Sequence, residues 1–146
     1  MKKLFAAISI LLTTSTGVYA LNQEFTKNMK QVEVLLQDDA KNACWTNLTE
    51  SREYAEEKLR GLGATLYKGE DKYYGQYYAL IIYVQSQRSS AGKCFGAVEI
   101  SLETGTEINN SFHHAVHRST LWAFTGYEKV NAGVIEQIQF FFKTEN

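Results

Sequence analysis

The chain contains no proline, and its 15 lysine and arginine residues do not outnumber its 16 aspartate and glutamate residues. Because proline is missing, the tight turns must be built on glycine. Because positive charge is not in excess, there is no basic stripe of the kind that binds nucleic acid or anionic lipid. We therefore expect no nucleic-acid partner.

Long apolar runs are missing beyond the N-terminus. Two lysines open the chain, residues 4–12 are apolar, and residues 18–20 have the small-residue pattern of a cleavage site that ends in Ala20. The apolar segment is too short for a stable membrane anchor. We predict a bacterial-type signal peptide over residues 1–20, cleavage after Ala20, and a mature periplasmic or secreted protein that is soluble and has no membrane span.

Motifs of the common enzyme classes are also missing. The chain has no glycine-rich phosphate loop and no serine in a nucleophile elbow. Asp38 and Asp39 are adjacent carboxylates of the type that can share acid and base roles. They fall in a polar segment predicted to be a loop, however, where we expect them to be solvated.

Two cysteines are present, Cys44 and Cys94. An even number of cysteines in an exported protein indicates a disulfide, and a pair allows one intramolecular connectivity. A catalytic thiol would instead need a neighbouring base to hold it as thiolate. We predict a Cys44–Cys94 disulfide, which would close a loop of about 50 residues and stabilise the fold by about 4 kcal/mol.

The clearest strand pattern lies in residues 77–102. Residues 77–87 are apolar on both faces, which is typical of a strand in the middle of a sheet, and residues 93–102 alternate as a strand with one buried side does. The polar residues 88–92 join them into a hairpin. Glu99 is expected on an open sheet face; on a covered face, burial would raise its pKa.

Two helices are predicted. Residues 47–60 have a narrow apolar stripe, Asn47 as a cap and glycine after the last turn. Residues 131–142 place apolar side chains at helical spacing, with Asn131 as a cap.

The remaining strands have weaker patterns. Residues 30–36 alternate as a strand, although their apolar residues also fit a helix. Residues 64–68 are predicted to form a short strand and residues 103–106 a turn. Residues 107–114 are ambiguous, and residues 118–126 are predicted to form the last strand. We predict one α+β domain over residues 21–146: a mainly antiparallel sheet of about five strands, with a helix after the first strand and a C-terminal helix packed on it.

The three histidines His113, His114 and His117 lie close together in the sequence. On a helix, two of them would have the spacing of metal ligands, but a third ligand is not evident and no glutamate sits between them to act as a base. In a strand, His113 and His117 would lie too far apart. We expect surface or interface histidines, with no metal and no other cofactor. A periplasmic hydrolase that uses this cluster is the alternative function.

Tyrosines crowd the approach to the central hairpin. Tyrosine is amphipathic and loses little conformational entropy at a contact. Tyr73, Tyr74 and Tyr77 are therefore candidate partner-binding residues, with core packing as the alternative. We expect a small, exported, non-enzymatic binding or accessory protein of the cell envelope that acts through a protein partner. An inhibitor or immunity-type protein is one form of it.

Overall fold

Four strands and two helices make up the regular structure of the described residues. The structure is a computed structural model, and it describes residues 29, 31–67, 77–108 and 111–143. In chain order the elements are β1 (Val32–Ala40), α1 (Leu48–Gly61), β2 (Tyr77–Arg88), β3 (Cys94–Ile108), β4 (Ser111–Tyr127) and α2 (Asn131–Phe142). The predicted α+β class and both predicted helices are confirmed. The predicted signal peptide lies outside the described residues.

The four strands form one mixed sheet in the order β1-β2-β3-β4. β1 runs parallel to β2, whereas β2 with β3 and β3 with β4 are antiparallel. The prediction of a mainly antiparallel sheet was therefore too simple. The reason is the position of α1, since a helix between two adjacent strands acts as a crossover and brings the chain back in the same direction.

The predicted count of about five strands was also wrong for the part of the chain that is described. Residues 64–67 contribute a single parallel bridge between Leu66 and Val32 in place of a strand. The Val32 amide donates to the Thr65 carbonyl at 2.9 Å, and the Tyr67 amide donates to the Val32 carbonyl at 2.8 Å. This bridge covers part of the outer edge of β1.

Two strands extend through segments that were predicted to be turns or loops. β1 continues to Ala40 through residues whose side chains are polar, and the Ala40 amide donates to Asp38 Oδ1 at 2.8 Å. β3 continues through 103–106, so the ambiguous residues 107–114 belong to a long hairpin with β4. Polar side chains are compatible with strands here because these strand ends lie at the edges of the core.

Both helices pack on the same face of the sheet. Alternate residues of the strands point to that face and are buried beneath the helices, as the period of two in a strand requires. The middle position predicted for β2 is confirmed, although its other face is only partly buried. The buried strand residues of the core are Val32, Val34, Leu80, Ile82, Val84, Cys94, Val98, Ile100, Leu102 and Phe124.

The loop that precedes α1 is tied to the rest of the molecule at several points. A disulfide joins Cys44 to Cys94, the first residue of β3, with 5.8 Å between their Cα atoms, and it confirms the predicted pairing. The Cys44 carbonyl also accepts a hydrogen bond from the Val130 amide at 2.9 Å. Asn131 Oδ1 accepts from the Thr46 amide at 2.9 Å, and Asn131 Nδ2 donates to Thr46 Oγ1 at 2.9 Å. These bonds bring the starts of α1, α2 and β3 together.

The two asparagines predicted as helix caps have different roles. Asn47 is the residue before α1, but its side chain does not cap the helix amides and instead donates from Nδ2 to Glu50 Oε2 at 3.0 Å. Asn131 is already the first residue of α2, and its side chain bonds the loop before α1. Asn131 therefore connects two segments of the chain, whereas Asn47 bonds locally to the first turn of α1.

β2 and β3 approach closely at Gly96. A Cβ atom at this position would lie 2.0 Å from the Gln85 carbonyl oxygen and 2.7 Å from the Ser86 Cα atom. Both atoms belong to the backbone, so a side-chain rotation cannot relieve the overlap. The pairing of the two central strands therefore depends on glycine at this site.

Removal of the disulfide should destabilise the fold strongly, because the unfolded chain regains the freedom of a loop whose ends are 50 residues apart in sequence. We expect the double variant Cys44→Ala/Cys94→Ala to lose about 4 kcal/mol of unfolding free energy in urea titrations. A loss below about 1 kcal/mol would contradict the loop-closure account.

The substitution Gly96→Ala should destabilise the protein by about 3 kcal/mol, since it forces two backbones apart. Gly61→Ala is the matched control: Gly61 is the last residue of α1 and has no atom within 4 Å of an added Cβ. The control should be neutral or stabilise by up to about 1 kcal/mol. Equal effects of the two changes in denaturant unfolding would refute the steric explanation.

Candidate functional site

The sheet has a second face, turned away from both helices, and about half of it is exposed. Alternate residues of all four strands reach this surface at the end of the sheet where β3 begins. We call this surface the open face. It consists of Gln37, Asp39, Tyr83, Gln85, Gln87, Phe95, Ala97, Glu99, Ser119, Leu121, Ala123 and Thr125. Towards the opposite end, Ala79 and Ser101 are buried, which limits the exposed surface.

Apolar and acidic groups are mixed on the open face. Leu121 is 71% exposed and Phe95 is 38% exposed, which places both among the exposed large hydrophobic residues of the described chain. Register places Tyr83 opposite Glu99, and Glu99 opposite Leu121. Glu99 is exposed, as expected for an open sheet face. A surface of this kind combines apolar contact area with fixed negative charge.

The two carboxylates of the open face accept hydrogen bonds from neutral hydroxyl groups. Tyr83 Oη donates to Asp39 Oδ2 at 3.0 Å, and Ser119 Oγ donates to Glu99 Oε1 at 3.2 Å. Neither carboxylate forms an ion pair with a lysine, arginine or histidine in the described part of the chain. The hydrogen bonds therefore orient the two carboxylates, and no cationic side chain among the described residues neutralises their charge.

The pKa of Tyr83 is raised above 10.0 by this arrangement. The largest cause is the hydrogen bond to Asp39, which the neutral phenol makes and the phenolate cannot. Partial burial and the negative charges of Asp39 and Glu99 act in the same direction. Tyr83 therefore stays a hydrogen-bond donor across the physiological pH range.

A shallow cleft of about 380 Å³ lies at one end of the open face. Its lining residues supply a carboxylate, an ammonium group, amides and an aromatic ring. This mixture suits a polar side chain or a short segment of another protein more than an apolar small molecule. The lining residues are Asp39, Lys41, Gln85, Ser86, Gln87, Phe95, Gly96 and Ala97.

The predicted partner-binding tyrosines are only partly covered by the structure. Tyr73 and Tyr74 lie outside the described residues. Tyr77 is the first residue of β2, and its backbone pairs with Gly105 of β3. The side chain of Tyr77 lies outside the described part of the structure. The tyrosine patch therefore stays a prediction.

The exposed hydrophobic residues were missed as site candidates. The alternation of residues 118–126 already placed Leu121 and Ala123 on the face opposite Trp122, and that pattern was the available signal. Asp38 and Asp39, expected in a loop, belong to β1, so their side chains leave opposite faces of the strand. Only Asp39 reaches the open face.

The histidines lie on β4 and are not on a helix. His113 is exposed and its backbone pairs with Thr106, whereas His117 sits at a register shift and contacts the Thr104 hydroxyl through Nε2. The His117 ring also lies 6.0 Å from the ring of Tyr78. Within the described residues, no group of three or more histidine, cysteine, aspartate or glutamate residues is arranged to hold a metal ion.

Comparisons with known proteins give no family. No protein-family model matches the chain, and no curated protein matches it significantly. One solved structure with some similarity is described as the crystal structure of an uncharacterized protein; it is 12% identical, covers 80% of this chain and 86% of its own, and has a TM-score of 0.28. A similarity of this size carries no argument about fold or function. Among the described helices, none has the length and apolar character that a membrane span requires.

Asp39→Asn should lower the pKa of Tyr83 towards 10.0, because it removes the negative charge and the strongest acceptor of the phenol. A raised pKa means that the contribution of Tyr83 to folding stability is present below pH 10 and is lost as the pH rises through the folded-state pKa. Tyrosine ring carbon shifts in an NMR titration measure this directly. Asp38→Asn is the control, since Asp38 bonds a backbone amide and does not bond Tyr83; an equal shift in both variants would refute the assignment.

Proposed function

We propose that the protein is a small, exported, non-enzymatic binding protein whose open face docks on another protein. The observation that carries this proposal is the exposure of Phe95 and Leu121 beside two carboxylates that have no ion-pair partner among the described residues. Phe95 lies opposite Thr125 and Leu121 opposite Glu99, so the two side chains are separate apolar positions on one face of the sheet. Exposed apolar positions surrounded by polar groups are typical of interaction surfaces. The carboxylates select the charge of the partner.

The partner that fits this surface presents apolar side chains together with lysine or arginine. Cationic groups would pair with Asp39 and Glu99, each of which still has lone pairs beyond its single hydroxyl donor. Apolar groups would cover Leu121 and Phe95. Attraction between the acidic open face and a basic partner would make binding more specific and association faster, and it would make binding sensitive to salt.

The build of the domain supports a rigid docking surface. The open face spans all four strands of one sheet, and β3 is fixed at its first residue by the Cys44–Cys94 disulfide. A rigid surface loses little conformational entropy on binding. An inhibitor or immunity-type protein, which must occupy a site on its target without rearranging, would use such a surface.

Export is part of the same proposal. A disulfide persists in oxidising compartments such as the periplasm or the extracellular medium. The N-terminal sequence has the pattern of a bacterial signal peptide, with cleavage after Ala20. Tyr73, Tyr74 and Tyr77 stay candidate partner-binding residues in this proposal. The described histidines give the hydrolase alternative little support, because His113 is exposed on β4 and His117 contacts the Thr104 hydroxyl within the sheet.

Phe95→Asp should abolish capture of the partner from an envelope extract, since it places a charge in the apolar part of the open face. Phe140→Asp is the matched control, because Phe140 is also an exposed phenylalanine, 52% exposed, but lies on α2. Quantitative mass spectrometry of the captured proteins compares the wild-type protein with both variants. Glu99→Gln should weaken capture and reduce its dependence on salt.

The proposal requires one protein that the wild type and the Phe140→Asp variant capture equally and that the Phe95→Asp variant loses. Capture that is unchanged in Phe95→Asp, or absent for the wild type, would contradict it. Thermal unfolding of each variant checks that the fold is intact, which is expected because both phenylalanines are exposed.

A further inference from the structure

β4 is an edge strand of unusual length. It has 17 residues and stands last in the sheet order. One side of its backbone pairs with β3, and on the other side no ladder is formed by any described residue. Alternate amide and carbonyl groups of such a strand point outward and form a template for another strand.

Two common devices that protect an edge strand, proline and outward-facing charge, are missing from β4, and its two register shifts and the inward-pointing Arg118 leave a regular segment between them. Proline, which blocks strand addition, does not occur in the chain. The single lysine or arginine of β4 is Arg118, which is 9% exposed and turned inward. Its guanidinium lies 5.3 Å from the ring of Phe141, and Nη2 donates to the Lys143 carbonyl at 3.3 Å. The outer edge of β4 therefore carries little formal charge.

The opposite edge of the sheet is built differently. β1 carries Glu33, Asp38 and Asp39 within nine residues. Its outer side is also bridged by the chain at Leu66. Charge and cover are two common ways in which proteins prevent strands from adding to an edge. The contrast makes β4 the edge that is open to pairing.

Exposed apolar side chains are concentrated on β4. Leu121 is 71% exposed and Val116 is 60% exposed, the two highest values among the exposed large hydrophobic side chains of the described residues. A strand added beside the part of β4 around Leu121 would cover that side chain through cross-strand contacts. The pattern of exposure therefore agrees with the pattern of unpaired backbone.

We propose that a second copy of this chain pairs with β4, antiparallel and about a two-fold axis, to join two four-stranded sheets into one continuous sheet. The regular segment 118–125, which lies between the two register shifts of β4, would form the seam. A second copy fits because two such segments meet without like-charge repulsion, whereas the negative groups Asp39 and Glu99 lie on inner strands or at the far edge. Two-fold pairing also uses the same surface on both copies.

The test measures mass and backbone protection on the oxidised protein recovered after export of the full chain. Analytical ultracentrifugation across a dilution series should show a mass about twice that of the monomer at high concentration. Hydrogen exchange should show alternate amides within 118–125 becoming protected as the dimer forms. Leu121→Lys should weaken the dimer about tenfold or more, because it brings two ammonium groups to the seam.

Phe95→Lys is the matched control, since Phe95 lies on the open face but on β3, one strand in from the edge. It should leave the dimer intact, although it removes the partner binding proposed above. The inference would be overturned by a monomer at all concentrations, by a dimer without new protection in β4, or by a dimer equally sensitive to both lysine variants. Protection of the β4 edge that does not change on dilution would also overturn it, because other residues of the same chain would then cover the edge.

Discussion

The arrangement of the domain depends on the disulfide between Cys44 and Cys94. It joins the loop before α1 to the first residue of β3, and the side chain of Asn131 ties the same loop to the start of α2. Without these links, α1 would be connected to β3 and α2 mainly through the packing of its narrow apolar face. The covalent link sets where the helix layer lies, and the helix layer determines which face of the sheet stays exposed.

Both helices cover the same face of the sheet, so the character of the other face depends on its own side chains. Along the strands most covered positions are aliphatic, whereas the open face alternates amide, carboxylate, hydroxyl and apolar groups. Hydrogen bonds from Tyr83 and Ser119 keep the two carboxylates in fixed orientations. This surface is ordered without being neutralised, which is the property that a recognition surface needs.

The sequence was most informative where a single physical rule decides the outcome. Two cysteines allow one intramolecular pairing, and glycine after a charged last turn ends α1 near residue 61. Sequence patterns failed where they carry no directional information. Alternation in residues 30–36 predicted a strand, but it could not show that β1 runs parallel to β2, since that depends on how α1 carries the chain across.

The long β3–β4 hairpin was missed for a related reason. Residues 103–106 contain glycine and threonine, which favour a turn in isolation, yet Thr104 and Gly105 pair with Ala115 and His114. The extended sheet overrides the local preference. Of the candidate site, Glu99 was placed correctly, whereas the bond between Asp39 and Tyr83 joins residues far apart in sequence and leaves no local pattern.

The position of the sulfur bond also bears on the order in which the chain assembles. The parallel ladder between β1 and β2 ends at Ala40 and Ser86, a few residues from each cysteine. If the disulfide forms before the sheet does, it already holds these strand ends close together. Pairing of β1 with β2 then requires the closure of only a short loop, whereas the reduced chain must close a long one. Early oxidation should therefore favour the one strand pairing in this sheet that local hairpin turns cannot nucleate.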